Sequence, residues 1–350
     1  MTEAVEPRVA APGAPVPGPV GRLLARVYLA EALRRSRRFD AGRGVVRIDR
    51  PVISVGNLSV GGTGKTPMVR WVLRVLAQAG RTPAVAMRGY RSRDGVSDEA
   101  ELYRGEFPDL PVVARPDRLE GLIALFATEA GERVDTVVLD DGFQHRRIAR
   151  DLDLVLVDAT RSPFEDDVLP AGRLREPVAA LRRAHAVVIT HAEAVGEREL
   201  ARLGEQIERV AGRPPIAACG HTWARLALHG PDACDHHPVA WLRGRTVLPV
   251  CGIGNPQAFL AQLAAEGAHL LPPKVYADHA AYPPRRVAAL ARRTAGAEAI
   301  VTTAKDWTKL RDSARDLPVP VVVPELGLTL FRGGDALRER VIEAARGDAA

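Results

Sequence analysis

From residue 51 onward the chain alternates short apolar runs with stretches whose apolar residues recur every three or four positions. Apolar runs of four to eight residues bounded by turn residues read as buried strands, and the 3.6-residue period reads as helix. Strands are expected at 52–55, 84–87, 112–114, 136–139, 152–157, 186–190 and 216–218. Between the first two, Met68, Val69, Val72, Leu73 and Leu76 form one stripe of a helix over about 66–79 that stops before Gly80. Strands that alternate with helices build a doubly wound, mainly parallel sheet, whose ligand sits at the carboxyl ends of the strands. Residues 222–246 break the rhythm with Trp223, Trp241 and two short extended runs around a polar turn, which predicts a hairpin linker. A second alternation follows, with strands near 246–250, 299–303 and 319–323 and a last helix from about Asp335.

The pattern upstream of residue 51 differs. Residues 1–19 hold Pro7, Pro12, Pro15, Pro17 and Pro19 among alanines and glycines, the composition of a disordered leader. Over 20–39, Val20, Leu23, Leu24, Val27, Tyr28 and Leu33 recur at helical spacing while Arg22, Arg26, Arg34, Arg35, Arg37 and Arg38 crowd elsewhere. Such a basic amphipathic helix lies on an anionic lipid surface or packs on its own domain with a solvated basic face; both readings stand at this point. A nucleic-acid partner is not expected, because no aromatic residues interleave with the arginines. The expected domains are therefore the leader, the helix to residue 40, a first lobe over 41–222, the hairpin over 223–246 and a second, smaller α/β lobe over 247–350.

Composition narrows this further. A chain of 350 residues suggests two domains. With 46% hydrophobic and 26% charged residues it has ample material for a core, which excludes wholesale disorder. Cys219, Cys234 and Cys251 form no C-x-x-C pair, so neither a zinc ribbon nor a disulfide scaffold is expected. The net charge of +6 is local, because residues 21–50 carry nine arginines against Glu31, Asp40 and Asp49. Only Lys65, Lys274, Lys305 and Lys309 are lysines, so a lysine here can mark a place where a compact ammonium is wanted.

Lys65 lies in the sharpest motif, Ser59-Val60-Gly61-Gly62-Thr63-Gly64-Lys65-Thr66. It follows the phosphate-loop pattern G-x-x-x-x-G-K-[S/T] with Ser59 in place of the first glycine, between an expected strand and an expected helix. Glycines let the backbone wrap a phosphate, and N–H groups at the helix start supply a positive field. Lys65 would reach the terminal phosphates of ATP and the Thr66 hydroxyl would sit on Mg2+. A carboxylate at a strand end is needed as well. Asp140-Asp141, followed by Gly142-Phe143-Gln144-His145, is one candidate, dense enough to point to catalysis; Asp158 is the other, and serves equally well as a turn cap. His236-His237 beside Cys234 and Asp235 reads as a flexible loop rather than a metal site.

These motifs bring the chain close to a known family. It resembles the tetraacyldisaccharide 4'-kinases over about 20–332. The resemblance rests on Pro51-Val52-Ile53-Ser54-Val55-Gly56-Asn57, Arg88-Gly89-Tyr90, Ser97-Asp98-Glu99 and Asp140-Asp141-Gly142-Phe143-Gln144-His145. It continues through 169–177, Gly252-Ile253-Gly254-Asn255-Pro256, Asp278-His279 and Lys305-Asp306. It implies a P-loop kinase lobe joined by a two-stranded linker to a second α/β lobe. The implied activity is Mg2+-dependent transfer of the ATP γ-phosphoryl group to the 4'-hydroxyl of a tetraacylated glucosamine disaccharide 1-phosphate. The implied location is peripheral, at the cytoplasmic face of the inner membrane. By the same resemblance Asp98 and His145 form the dyad that takes the sugar proton. Asp140, Asp141, Gln144 and Glu176 organise Mg2+, Arg88, Tyr90 and Arg175 contact the acceptor, and His279 approaches the nucleotide. The chain departs from the family text at Ala280-Ala281-Tyr282 and at Thr302-Thr303-Ala304. Two other readings share the phosphate loop: an NTPase that drives a conformational switch, and an ATP-responsive membrane scaffold that needs neither Asp98 nor His145.

Overall fold

A computed structural model describes residues 16, 18–89, 98–230, 233–253, 256–277 and 280–347, without the side chains of Asp98, Glu99, Glu101, His221 and Ala258. Two units divide the chain, one formed by 1–221 with 328–350, the other by 222–327.

In the first unit, strands β1 (Val52–Asn57), β2 (Pro83–Met87), β3 (Val112–Ala114), β4 (Thr136–Asp140), β5 (Leu152–Asp158), β6 (Ala186–Thr190) and the start of β7 (Ala217–His229) lie in the order β7-β6-β5-β1-β4-β2-β3. All of these pairings are parallel. β1, β4, β5 and β6 are buried along their whole length, as strands covered on both faces require. Helices α1 (Gly18–Asp40), α2 (Lys65–Gln78), α3 (Asp98–Glu106), α4 (Arg118–Phe126), α5 (Glu129–Glu132) and α6 (Glu197–Ala211) belong here. The α2 stripe Met68, Val69, Val72, Leu73 and Leu76 packs on Ile53, Val55, Val138 and Leu154. Residues of alternate parity cover the other face, where Val155, Val157, Val187 and Ile189 meet Leu203 and Ile207 of α6. β1 sits between β4 and β5, where the strand order reverses, so its carboxyl end is the place where such a sheet opens a ligand crevice.

In the second unit, β9 (Thr246–Cys251), β10 (His269–Leu270), β12 (Ala299–Thr302) and the first part of β13 (Val321–Arg332) form a parallel set in the order β10-β9-β12-β13. β11 (Lys274–Val275) also pairs with β9. Helices α7 (Pro256–Ala265), α8 (Pro284–Ala291) and α9 (Ala304–Leu310) complete the alternation. The expected hairpin is present: β8 (Cys234–His237) runs antiparallel to the end of β7, with Leu226 opposite His237 and His229 opposite Cys234. The His236-His237 segment is therefore a strand, not the flexible loop expected from its composition.

The boundary expected for the second lobe is corrected at its far end. β13 leaves the second unit, and α10 (Gly334–Arg346) returns to the first. Leu337, Val341, Ala344 and Ala345 of α10 are buried in the same cluster as the α2 stripe. The helix is held by apolar partners that lie far upstream in the chain.

The N-terminal helix packs on its own unit. Gly21, Ala25, Tyr28 with its neighbour Leu29, Ala32, Ser36 and Phe39 recur along one side of the helix, face inward and are buried or half-buried. This stripe of mostly small or polar residues seats α1 on its own unit. Val20, Leu23 and Val27 are 61%, 62% and 66% exposed, and Leu24 and Leu33 are exposed with them. Tyr28, counted with these from the sequence, turns inward instead. Among the described residues no helix is long and apolar enough to cross a membrane.

Candidate active site

The carboxyl end of β1 runs into the glycine-rich loop, and α2 begins at Lys65. Gly61 and Gly64 take positive φ values of 114° and 80°, a region that non-glycine residues rarely enter. A Cβ added at Gly61 or Gly62 would meet nothing within 4 Å, so the backbone there faces open space. No side chain caps the α2 N-terminus, which leaves its first N–H groups available to an anion. The first half of the loop is held differently. Ser59 bridges Leu174, Val60 N–H donates to the Arg173 carbonyl at 2.9 Å and Arg175 N–H donates to the Leu58 carbonyl at 2.7 Å. Ser59 thus lies in an extended pairing rather than at a positive φ, which explains why a glycine is not required there.

Asn57, fully buried at the end of β1, fastens the loop from below. Its Nδ2 donates to Thr63 Oγ1 at 2.6 Å, and its Oδ1 accepts from Lys65 Nζ at 3.4 Å. Thr190 Oγ1 donates to the Thr63 carbonyl at 3.1 Å. The sequence offered Asn57 only as part of a motif and gave no sign of Thr190.

Asp140 ends β4 opposite Val55 of β1. It is buried, and Tyr103 Oη donates to its Oδ2 at 2.8 Å. Burial pushes its carboxyl up, a shift that the Tyr103 bond and Lys65 oppose. Asp141 follows at a positive φ of 51°, a strained conformation of the kind found where function demands it. Arg175 Nη1 donates to both of its carboxylate oxygens, at 2.8 and 2.6 Å, and Lys65 Nζ lies 3.7 Å away. Burial opposes the charge on Asp141, but Lys65 and Arg175 outweigh it and hold the carboxyl below the usual range. Gly56 lets this turn close on β1, since a Cβ there would stand 2.6 Å from Phe143 N.

His145 sits at the end of the same turn, its N–H donating to the Gly142 carbonyl at 2.9 Å. Its Nε2 is buried with no hydrogen-bond partner among the described residues. Burial, reinforced by Arg118, Arg150 and Arg147, pushes the imidazole down to about 4. The ring is therefore neutral at physiological pH and has one nitrogen open to a proton. Arg118, itself buried, donates to the Asp141 carbonyl at 3.0 Å.

A loop of this shape, with a lysine, two strand-end carboxylates and a neutral imidazole beside it, has the groups that phosphoryl transfer needs. A family model described as tetraacyldisaccharide-1-P 4'-kinase matches residues 20–345. The chain belongs to the tetraacyldisaccharide 4'-kinase family. Two relatives named tetraacyldisaccharide 4'-kinase, from Geobacter metallireducens and Geobacter sulfurreducens, are 40% and 38% identical over 310 and 330 residues. These matches cover 82% and 88% of this chain and 88% and 89% of the relatives. A solved LpxK structure from Aquifex aeolicus, in complex with ATP, is similar with a TM-score of 0.70 at 28% identity, covering 93% of this chain and 98% of that one. The chain is accordingly an ATP-dependent kinase of lipid A biosynthesis.

The residues expected from the tetraacyldisaccharide 4'-kinase motifs fall into three groups. Ser59 to Thr66, Asp140, Asp141, Gln144, His145 and Arg175 come together at the ends of β1 and β4. Gln144 Nε2 donates to the Asn57 carbonyl at 2.9 Å, so its amide braces β1. Glu176 is placed elsewhere: it pairs with Arg183 at 2.8 Å, against Ala32, Leu33 and Ser36 of α1. Its neighbour Arg175 turns toward Asp141, and the alternation of side chains along this extended segment sends Glu176 the other way. Asp158, the second candidate carboxylate, pairs with His191 at 3.1 Å and accepts from Thr160, which makes it a turn-capping residue. Arg88 is exposed just beyond β2. Tyr90, His279 and the Asp98 side chain lie outside the described residues.

The residues present fit ATP and Mg2+. The open backbone at Gly61 and Gly62, the uncapped helix start and Lys65 suit a triphosphate. Thr66 and the two aspartates offer hard oxygen ligands, and Mg2+ takes only one or two protein carboxylates beside phosphate and water. Among the described residues no group of three or more His, Cys, Asp or Glu side chains is arranged to hold a metal ion.

In the second unit the departure at Tyr282 has a physical account. Fully buried Asp306 accepts from Gly252 N–H at 2.9 Å, Tyr282 Oη at 3.0 Å and Thr303 Oγ1 at 2.7 Å. One carboxylate thus ties together three segments that the family motifs had marked separately.

Proposed function

We propose that the chain transfers the ATP γ-phosphoryl group to the 4'-hydroxyl of a tetraacylated glucosamine disaccharide 1-phosphate, while held on an anionic membrane surface at its cytoplasmic face. The observation that carries the reading is the cluster of Lys65, Asp141 and Arg175 beside an open phosphate loop. Mg2+, when bound, neutralises charge on the transferring phosphates. Lys65 and the loop N–H groups bind and orient the triphosphate. Asp140 and Asp141 supply oxygens for the metal, and Thr66 its hydroxyl.

His145 is the proton acceptor in this reading. An alcohol attacks poorly until its proton has somewhere to go, and a neutral imidazole with a free Nε2 can take it. At a pKa of about 4 the ring is a weak base, so it needs an anionic partner to hold the proton as it forms imidazolium. Asp98, at the start of α3, is assigned that part. Arg88 and Tyr90 are assigned to the acceptor.

Two features of α1 support the membrane part. Its apolar residues Val20, Leu23, Leu24, Val27 and Leu33 are exposed among the described residues, and Arg22, Arg26, Arg34, Arg35, Arg37 and Arg38 are exposed around them. Each arginine near an anionic surface contributes about 1 kcal/mol.

The test is to incubate the purified protein with γ-labelled ATP, Mg2+ and a tetraacyldisaccharide 1-phosphate. Label should enter the lipid at the 4' position. ATP turnover indifferent to the lipid would favour the NTPase switch instead.

A further inference from the structure

The helix α1 touches the catalytic turn through bonds that an anchor does not need. Tyr28 Oη donates to the Arg175 carbonyl at 2.9 Å. Arg175 is thereby held at three points. Its N–H is on the phosphate loop at Leu58, its carbonyl on Tyr28 of α1, and its guanidinium on Asp141. A second tie lies eight residues further along α1, about 12 Å at 1.5 Å per residue. Arg146, the neighbour of His145, donates to the Ser36 carbonyl and Oγ, both at 3.0 Å, and pairs with Asp40 at 2.8 Å.

An apolar anchor works wherever it is attached, so its task explains the outward face of α1 and not these inward bonds. We infer that Tyr28 is a positioning residue for Arg175, and that α1 is part of the catalytic scaffold as well as a surface for lipid. The Tyr28 hydroxyl fixes the backbone from which the Arg175 guanidinium reaches Asp141. Remove the bond and the 173–175 segment keeps its hold on the phosphate loop but loses its stop on the other side. The Arg175–Asp141 clamp then samples more geometries, and the carboxylate beside Lys65 is less well placed for phosphoryl transfer. Misplacement of this kind lowers the rate of the chemical step more than nucleotide binding. The inference rests on the proposed activity, because its readout is phosphoryl transfer.

The experiment is a double-mutant cycle of Tyr28→Phe and Arg175→Ala, assayed for label transfer to the acceptor in detergent micelles, where no bilayer has to be bound. Tyr28→Phe removes one oxygen and keeps the ring. The expected result is a fall in kcat of about fivefold or more, a KM for ATP within twofold of the unaltered chain and unchanged sedimentation with anionic vesicles. In the Arg175→Ala background the same change should have little further effect, since residues that act through one another are not additive. A kcat for Tyr28→Phe within twofold of the unaltered chain overturns the inference, and so does full additivity with Arg175→Ala. Loss of vesicle binding in step with activity overturns it too, since α1 would then act as an anchor alone. Failure of the unaltered chain to label the lipid sinks the proposed function instead, so the two outcomes are distinct.

Discussion

Arg175 holds both carboxylate oxygens of Asp141 from a single guanidinium nitrogen, at 2.8 and 2.6 Å. Asp141 comes directly from the acid-rich turn, whereas Arg175 comes from a loop 34 residues later. Lys65 closes on the same carboxylate from the phosphate loop. The three form a small charge lattice in which a carboxylate is kept ionised between two cations. Replacing Arg175 by alanine removes one of them, and the Asp141 carboxyl should rise toward its ordinary range. Loss of a preorganised charge of this kind costs about 10²-fold in rate. We expect kcat to fall by that order for Arg175→Ala, measured as initial rates of label transfer, with Lys as a weaker substitute than Arg.

Asn57 makes a different prediction. Both halves of its amide are used, one on Thr63 and one on Lys65, in a fully buried position. Asn57→Ala strands the Thr63 hydroxyl and leaves the lysine with Asp141 but without its amide partner. Leaving a buried polar group without its partner costs about 1–3 kcal/mol. The variant should melt earlier in urea and bind ATP about tenfold or more weakly by equilibrium dialysis. Unchanged nucleotide affinity would show that the loop holds its shape without Asn57.

In the proposed function His145 links activity to acid stability. Its folded pKa of about 4 lies below the unfolded value of 6.5. Between these values the unfolded chain binds more protons, so the contribution of the neutral ring is complete above about pH 6.5 and is lost as the pH falls toward about 4. The urea midpoint of the unaltered chain should therefore drop between pH 7 and pH 5 by more than that of His145→Gln. In the transfer assay His145→Ala should lose about 10²–10⁴-fold in rate, the usual range for a positioned general base. A loss under about threefold would remove His145 from the dyad.

The outward face of α1 is tested without touching the site. Leu23, Leu24 and Val27 changed together to serine removes apolar surface that is exposed among the described residues. Full burial of such side chains stabilises by about 1.5–3 kcal/mol each. Sedimentation with anionic vesicles should weaken by at least tenfold, while ATP binding and the thermal midpoint stay as they were.

How much of this was legible in the chain depended on distance along it. The strand, glycine loop and helix of the phosphate site are contiguous, and so are Asp140, Asp141, Gln144 and His145. Local pattern therefore located them, and the doubly wound order followed from the alternation. What local pattern could not supply was the partner. Tyr103 for Asp140, Thr190 for Thr63 and Arg118 for the Asp141 carbonyl all come from other elements. Glu176 was grouped with the metal ligands by motif, yet one step of alternation sends it to Arg183. Tyr28 shared the spacing of the exposed apolar residues, and only its hydroxyl, bonded to Arg175, reveals why it turns inward. The last helix was readable as a helix, but its stripe did not say which core would receive it.

That last helix has a consequence for how the protein is made. Leu337, Val341, Ala344 and Ala345 fill the cluster that also buries the back of the phosphate helix, while the whole of 222–327 is synthesised between them and the rest of that unit. Synthesis of the nucleotide lobe starts before the interior unit and is completed only after it. Until α10 is made, α2 has the sheet on one side but not the apolar cover that α10 adds, and a nascent chain halted in the interior unit holds an unfinished kinase.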